Sequence, residues 1–122
     1  MEAVTIAGAS IVGYTNGVGL AAAFNAPNSV LLNPVDKCFY ICDAINQVIR
    51  KMTRNGTIFP FYPFLRYVLF FTGDVSTFAA EKGDGQLGGP CGICLYRKEM
   101  SFFVTNCQTH CISKITSTGK ST

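Results

Sequence analysis

The residues best equipped for chemistry sit in the C-terminal third of the chain. Cys91, Cys94, Cys107 and His110 stand at Cys-x2-Cys-x12-Cys-x2-His spacing, with Cys111 beside the histidine. Zinc needs four nitrogen or sulfur donors converging on a tetrahedron. The flanking sequence tells against it, because Cys91 and Cys94 open a β-prone run in which residues three apart point to opposite faces. His110, the one histidine of the chain, could in principle activate a cysteine thiolate, but no carboxylate is spaced to orient it. Gly83-x-Gly85-x-x-Gly88 spells a dinucleotide fingerprint, yet Gly89-Pro90 follows rather than a helix whose N-terminus would hold phosphate. Arg50, Lys51 and Arg54, with Lys114, form a modest basic set that could touch an anion or RNA. Alternation along a strand places Arg50 and Lys51 on opposite faces, and no aromatic-interleaved basic cluster accompanies them. The six cysteines, Cys38, Cys42, Cys91, Cys94, Cys107 and Cys111, are read as reduced, small apolar core residues. An even count would also suit disulfides in an exported protein. No catalytic residue, metal or cofactor is expected.

The elements that must position these residues are short and numerous. With 122 residues, 48% of them apolar and 14% charged, the chain has the composition of one ordered domain. Phe and Tyr are plentiful and Trp is absent; twelve Gly and five Pro suit a turn-rich β protein. The net charge of +3 permits an anionic partner without demanding one. Strand-prone runs fall at Val4 to Ala7, Ser29 to Leu32, Cys38 to Cys42, Gln47 to Thr53, Val75 to Ala79, Ile93 to Leu95, Phe102 to Thr105 and Cys111 to Thr116. Tight polar connections separate them, so the spacing predicts a meander. Met1 leads almost at once into this pattern with no basic leader and no cleavage site, which favours the cytoplasm. Asn55-Gly56-Thr57, a sequon in a secreted chain, is accordingly read as a turn.

The pattern is written twice. Sliding Pro27 to Gly56 forward by 63 residues lays it on Pro90 to Gly119, with identities at Pro27/Pro90, Leu32/Leu95, Phe39/Phe102, Ile49/Ile112, Lys51/Lys114, Thr53/Thr116 and Gly56/Gly119. A fixed offset with matched apolar positions marks a repeat. The first copy is set at 4–56 and the second at 73–119 of a single region, 1–122. At the zinc-like positions the first copy has Asn28, Leu31, Ala44 and Gln47, so the fold needs no metal there. The second entry loop is nine residues shorter and has no match to Ala21-Ala22-Ala23-Phe24.

Between the copies lies an apolar insert, 57–72. Its fourteen-residue core, Ile58 to Phe71, falls short of the roughly 20 residues of a membrane-spanning helix and is interrupted by Pro60, Pro63 and Arg66. No membrane span is expected. The insert reads as a partner-binding loop, as a membrane-dipping segment, or as sequence foreign to the working protein, such as translated intron. The last is preferred, because deletion would run Asn55-Gly56 straight into Asp74-Val75.

Thr5-Ile6-Ala7-Gly8, Gly13-Tyr14-x-Asn16-Gly17-x-Gly19, Ala22-Ala23-Phe24-Asn25-x-Pro27, Phe39-Tyr40-Ile41-x-Asp43 and Asn46-Gln47-Val48-Ile49-Arg50-Lys51-Met52 together resemble the NHL repeat. The second copy supplies the histidine of that signature at His110, where the first has Gln47. Gly17, Pro27, Asp43 and Asn46, and their counterparts Gly85, Pro90, Asn106 and His110, are the signature positions. The resemblance implies an all-β fold of antiparallel four-stranded meander blades from a β-propeller, about two blades' worth. Val75 to Ala79 would be the fourth strand of the first blade, and Val4 to Ala7 a spare fourth strand for the second.

Two such sheets, apolar on both faces, leave broad surfaces in water. The chain is therefore expected to be part of a larger propeller, to complete one by self-association, or to fold poorly. The function expected is a non-enzymatic scaffold that binds a protein partner. An RNA-binding module and a fragment of a propeller-type enzyme are the alternatives.

Overall fold

The computed structural model describes residues 3, 5–53, 56–61, 66–71, 74–79 and 87–119; at 56–61, 66–71 and 74 only the backbone course is described. The described chain is all β apart from a single 3-10 turn at Gly19–Ala21, and every strand pairing is antiparallel. The strands are β1 (Gly17–Val18), β2 (Pro27–Leu32), β3 (Phe39–Asp43), β4 (Val48–Met52), β5 (Gly56–Phe61), β6 (Arg66–Phe71), β7 (Asp74–Ala79), β8 (Pro90–Tyr96), β9 (Ser101–Asn106) and β10 (Cys111–Ile115). They form a five-stranded sheet in the order β1-β7-β4-β3-β2, a three-stranded sheet β10-β9-β8 and a two-stranded sheet β5-β6. Among the described residues, no helix is long and apolar enough to cross a membrane.

The two larger sheets share one register. Val30 faces Ile41 and Ile41 faces Arg50 in the first; 63 residues on, Ile93 faces Val104 and Val104 faces Ser113 in the second. The pairing slips between Pro27 and Ser29, and again between Pro90 and Gly92. Left-handed backbone positions recur at the same interval: Ala26 (φ 56°) and Gly89 (φ 69°), Lys37 (φ 61°) and Met100 (φ 53°), Gln47 (φ 60°) and His110 (φ 57°). The turns are closed by matching hydrogen bonds, Ala44 N–H to Ala26 O and Cys107 N–H to Gly89 O.

Two expectations are corrected here. Gln47, expected to open a strand, closes the turn between β3 and β4 with a positive φ, as His110 does between β9 and β10. The expected strand at Val4 to Ala7 does not form: Val4 lies outside the described residues, and 5–7 pair with no strand. Gly8 at φ 109°, its N–H bonded to Gly19 O, turns the segment away. Ile6 and Ala7 pack instead on a face of the first sheet with Ala22, Phe24, Phe39, Ile41, Met52 and Val75. The strand that borders β7 is β1, with Gly17 opposite Val75.

The 57–72 stretch enters a hairpin whose strands pair only with each other, Gly56 opposite Phe71 through Phe61 opposite Arg66. Pro60 sits within β5, which is tolerated because each strand of a two-stranded ribbon is an edge. The chain then returns to place β7 against β4, Met52 opposite Val75, so the fourth strand is reached past the insert.

The main core lies between the five-stranded and three-stranded sheets. Tyr40, Cys42, Ile49 and Ala79 of the first meet Leu87, Phe102, Val104 and Ile115. Tyr40, Phe78 and Phe102 form an aromatic trio with centroids 4.5–5.4 Å apart, within the range where aromatic pairs add to simple burial.

Candidate interaction surface

Arg50 does not contact solvent. It is fully buried on β4, and its Nη1 lies 2.8 Å from Asp43 Oδ2. The same nitrogen donates to Ala23 O, while Nη2 donates to Thr15 O and Asn16 Oδ1. The Tyr14 and Phe24 rings both lie against the guanidinium, with their centroids at 5.1 and 5.0 Å from its carbon. Asp43, equally buried, also accepts from the Asn25 N–H (2.7 Å) and from Asn46 Nδ2 (2.8 Å), which reaches on to Gly13 O. The expectation that Arg50 is an anion or RNA contact is therefore corrected: its charge is spent on holding the entry loop to the sheet. Arginine suits this place because its planar fork spreads donors over several acceptors at once.

The second sheet has a neutral version of the same device. Asn106 stands where Asp43 stands and Ser113 where Arg50 stands. Asn106 Oδ1 accepts from the Gly88 N–H, and its Nδ2 donates to Ser113 Oγ at 2.9 Å.

The remaining signature and basic residues divide as follows. Gly17 lies in β1 so close to Ala21 that a Cβ would meet its backbone at 3.1 Å. Pro27 and Pro90 open β2 and β8 opposite Asp43 and Asn106. Lys51, on the face of β4 opposite Arg50, lies 3.6 Å from Asp36 and over the Tyr40 ring. Burial acts to raise the Asp36 carboxyl, but hydrogen bonds from the Tyr40 hydroxyl and the Cys38 N–H, with the Lys51 charge, hold it below the usual carboxylate value. Lys114 pairs with Glu99 at 2.6 Å. Arg54 and Gly85 lie outside the described residues, so Gly83-x-Gly85-x-x-Gly88 is described only at Gly88, which precedes β8.

The zinc-like set is dismantled by a covalent bond. Cys91 and Cys107 form a disulfide across a separation of 16 residues, which corrects the reading of both as reduced thiols. The bulge at the start of β8 and the turn after β9 bring them together. Among the described residues no cluster of three or more His, Cys, Asp or Glu could hold a metal. Of the free thiols, Cys42 is a buried core residue, and that burial pushes its pKa up to about 12. Cys38 is half-buried and also raised, first by burial and then by Asp36. Cys94 and Cys111 are exposed. Alkylation of the native protein near pH 8 is expected to modify these two quickly, Cys38 slowly and Cys42 least, because the thiolate is the reacting form. Mass spectrometry after denaturation without reductant should then count four modifiable thiols. A count of six would remove the disulfide.

The surface left over is apolar. On the first sheet, Val30 (62% exposed) and Leu32 stand uncovered on the face that also carries Phe39 and Ile41. An open cavity of about 300 Å³ lies against Pro27, Asn28, Ser29, Val30 and Ile41. Ile11, Val12, Val18 and Leu20 of the entry loop add to the exposed apolar area. On the second sheet, Tyr96 and Ile112 are exposed on the face away from the first, where Tyr96 packs edge-on to the half-buried Phe103.

No protein-family model matches the chain, and no curated protein matches it. Among solved structures it is similar to the crystal structure of an auxiliary nutrient binding protein from Bacteroides ovatus, with a TM-score of 0.61 and 22% identity over 86% of this chain. The likeness is one of fold. The chain spans about a quarter (26%) of that protein's length.

Proposed function

We propose that the chain is a pair of NHL-type β-propeller blades serving as a non-enzymatic scaffold that binds protein. The observation that carries this reading is the pair of open apolar sheet faces, one with Val30 and Leu32, the other with Tyr96 and Ile112. Exposed apolar residues grouped on a sheet face suit a protein interface. The shared register of the two sheets supports the repeat on which the blade reading rests. RNA binding is less well supported, since Arg50 is enclosed and Lys51 and Lys114 each sit beside a carboxylate.

The test compares two ligands on one purified protein. A partner recovered by affinity capture and identified by mass spectrometry should bind wild-type protein at both low and high salt. It should bind the double variant Val30→Asp/Ile112→Asp at least about tenfold more weakly, a difference of ~1.4 kcal/mol. Labelled single-stranded RNA should show no gel shift even at low salt. A salt-dependent RNA shift, with protein capture indifferent to the double variant, would replace this reading with the nucleic-acid one.

A further inference from the structure

The joint between the two sheets shows what fits each open face. The second sheet docks through the face bearing Ile93, Leu95, Phe102 and Val104, onto the first-sheet face bearing Leu31, Tyr40, Cys42 and Ile49. The repeat assigns each of these a counterpart 63 residues away. Val30, Leu32, Phe39 and Ile41 are the first sheet's version of the docking face; among the described residues no sheet lies against them, and although Ile6, Ala7, Ala22 and Phe24 pack on the Phe39 and Ile41 end, Val30 and Leu32 stay exposed. Cys94, Phe103 and Ile112 are the second sheet's version of the receiving positions Leu31, Tyr40 and Ile49; Cys94 and Ile112 are exposed and Phe103 is half-buried. Exposure follows the same logic: Ile49 in the joint is 0% exposed, whereas its counterpart Ile112 is 70% exposed.

We infer that a second copy of this chain docks head to tail, its open second-sheet face receiving the open first-sheet face of the next copy and so repeating the internal joint. The two surfaces differ from each other, so the contact is heterologous and continues until the rotation closes a ring. Rings built from such sheets hold about 4–8 of them, which corresponds to roughly two to four copies of this chain. The inference rests on the protein-binding reading above and names the partner for the sheet faces.

The experiment uses two single variants of the whole chain. Val30→Arg spoils only the docking face and Ile112→Arg only the receiving face. Both positions are well exposed, so neither change disturbs the packed joint, and circular dichroism checks that each variant keeps its β signal. Light scattering coupled to gel filtration, at on the order of 100 µM protein, should show a discrete oligomer for wild type and a monomer for each variant alone. An equimolar mixture should give a 1:1 two-chain species, because each variant retains the face that the other has lost. A monomeric wild type overturns the inference. So does an oligomer that survives either variant, or a mixture that stays monomeric. A monomeric wild type that still binds another protein would sink head-to-tail docking while leaving the scaffold reading in place.

Discussion

Arg50→Ala is expected to cost about 3–5 kcal/mol of folding stability, the usual penalty for leaving a buried charge without its partner. The partner left behind is Asp43, fully buried and 2.8 Å from the missing guanidinium. Asp43 would keep Asn25 and Asn46 as donors, and Ala23 O and Thr15 O would keep each other's backbone N–H, but both carbonyls and Asn16 Oδ1 would lose the guanidinium. The contacts of the guanidinium with the Tyr14 and Phe24 rings would also be lost. At ~4 °C per kcal/mol for a chain of this size, the midpoint of thermal unfolding should fall by roughly 10–20 °C. Combining Arg50→Met with Asp43→Asn removes both charges and should restore part of the loss, but not all, because the guanidinium's bonds to Ala23 O, Thr15 O and Asn16 Oδ1 stay lost. Denaturant titration of the three proteins checks the order. A loss under about 1 kcal/mol for Arg50→Ala would show that the entry loop holds to the sheet without this cluster.

Phe102→Ala should have a comparable effect, about 3–5 kcal/mol, by opening a cavity in the joint. Phe102 is 2% exposed and touches Tyr40 and Phe78 through ring contacts at 4.5 and 5.4 Å. Tyr40 and Phe78 each lose a ring neighbour when it is truncated. The three-stranded sheet suffers most, because it buries its apolar face only against the first. Its amides should therefore exchange faster than those of β3 and β4, which native-state hydrogen exchange can read strand by strand. Phe102→Leu keeps most of the volume and should cost less than half as much. Equal exchange gains in both sheets would mean that they unfold as one unit.

Strand positions were largely legible because the repeat states them twice. A run such as Phe39 to Asp43 is ambiguous alone, but paired with Phe102 to Asn106 at a fixed offset it must be a shared structural element. The turn residue Gln47 was misplaced because its left-handed backbone leaves no composition signal in a residue that is neither Gly nor Asn. Arg50 was misread for a different reason. One-dimensional alternation gives its face, but only the entry loop folded over that face turns a surface charge into a buried one. The signal that could have found it is the coupled change from Asp43 and Arg50 to Asn106 and Ser113, alongside the loss of loop residues. The Cys91–Cys107 bond escaped because its closeness comes from a bulge and a turn, features that spacing does not encode. The spare strand at Val4 to Ala7 failed because edge pairing competes with covering an apolar face, and Ile6 and Ala7 gain more from the latter.

The pairing of Met52 with Val75 has a wider consequence. Because the chain leaves and re-enters the sheet at two residues already side by side, the detour between them has coincident ends. Closing it costs little more for a long excursion than for a short one, about 0.6 kcal/mol per doubling of length. The seam thus works as a docking port in the polypeptide itself, a place where foreign sequence can be gained or shed over generations while the sheet on either side goes on assembling as before.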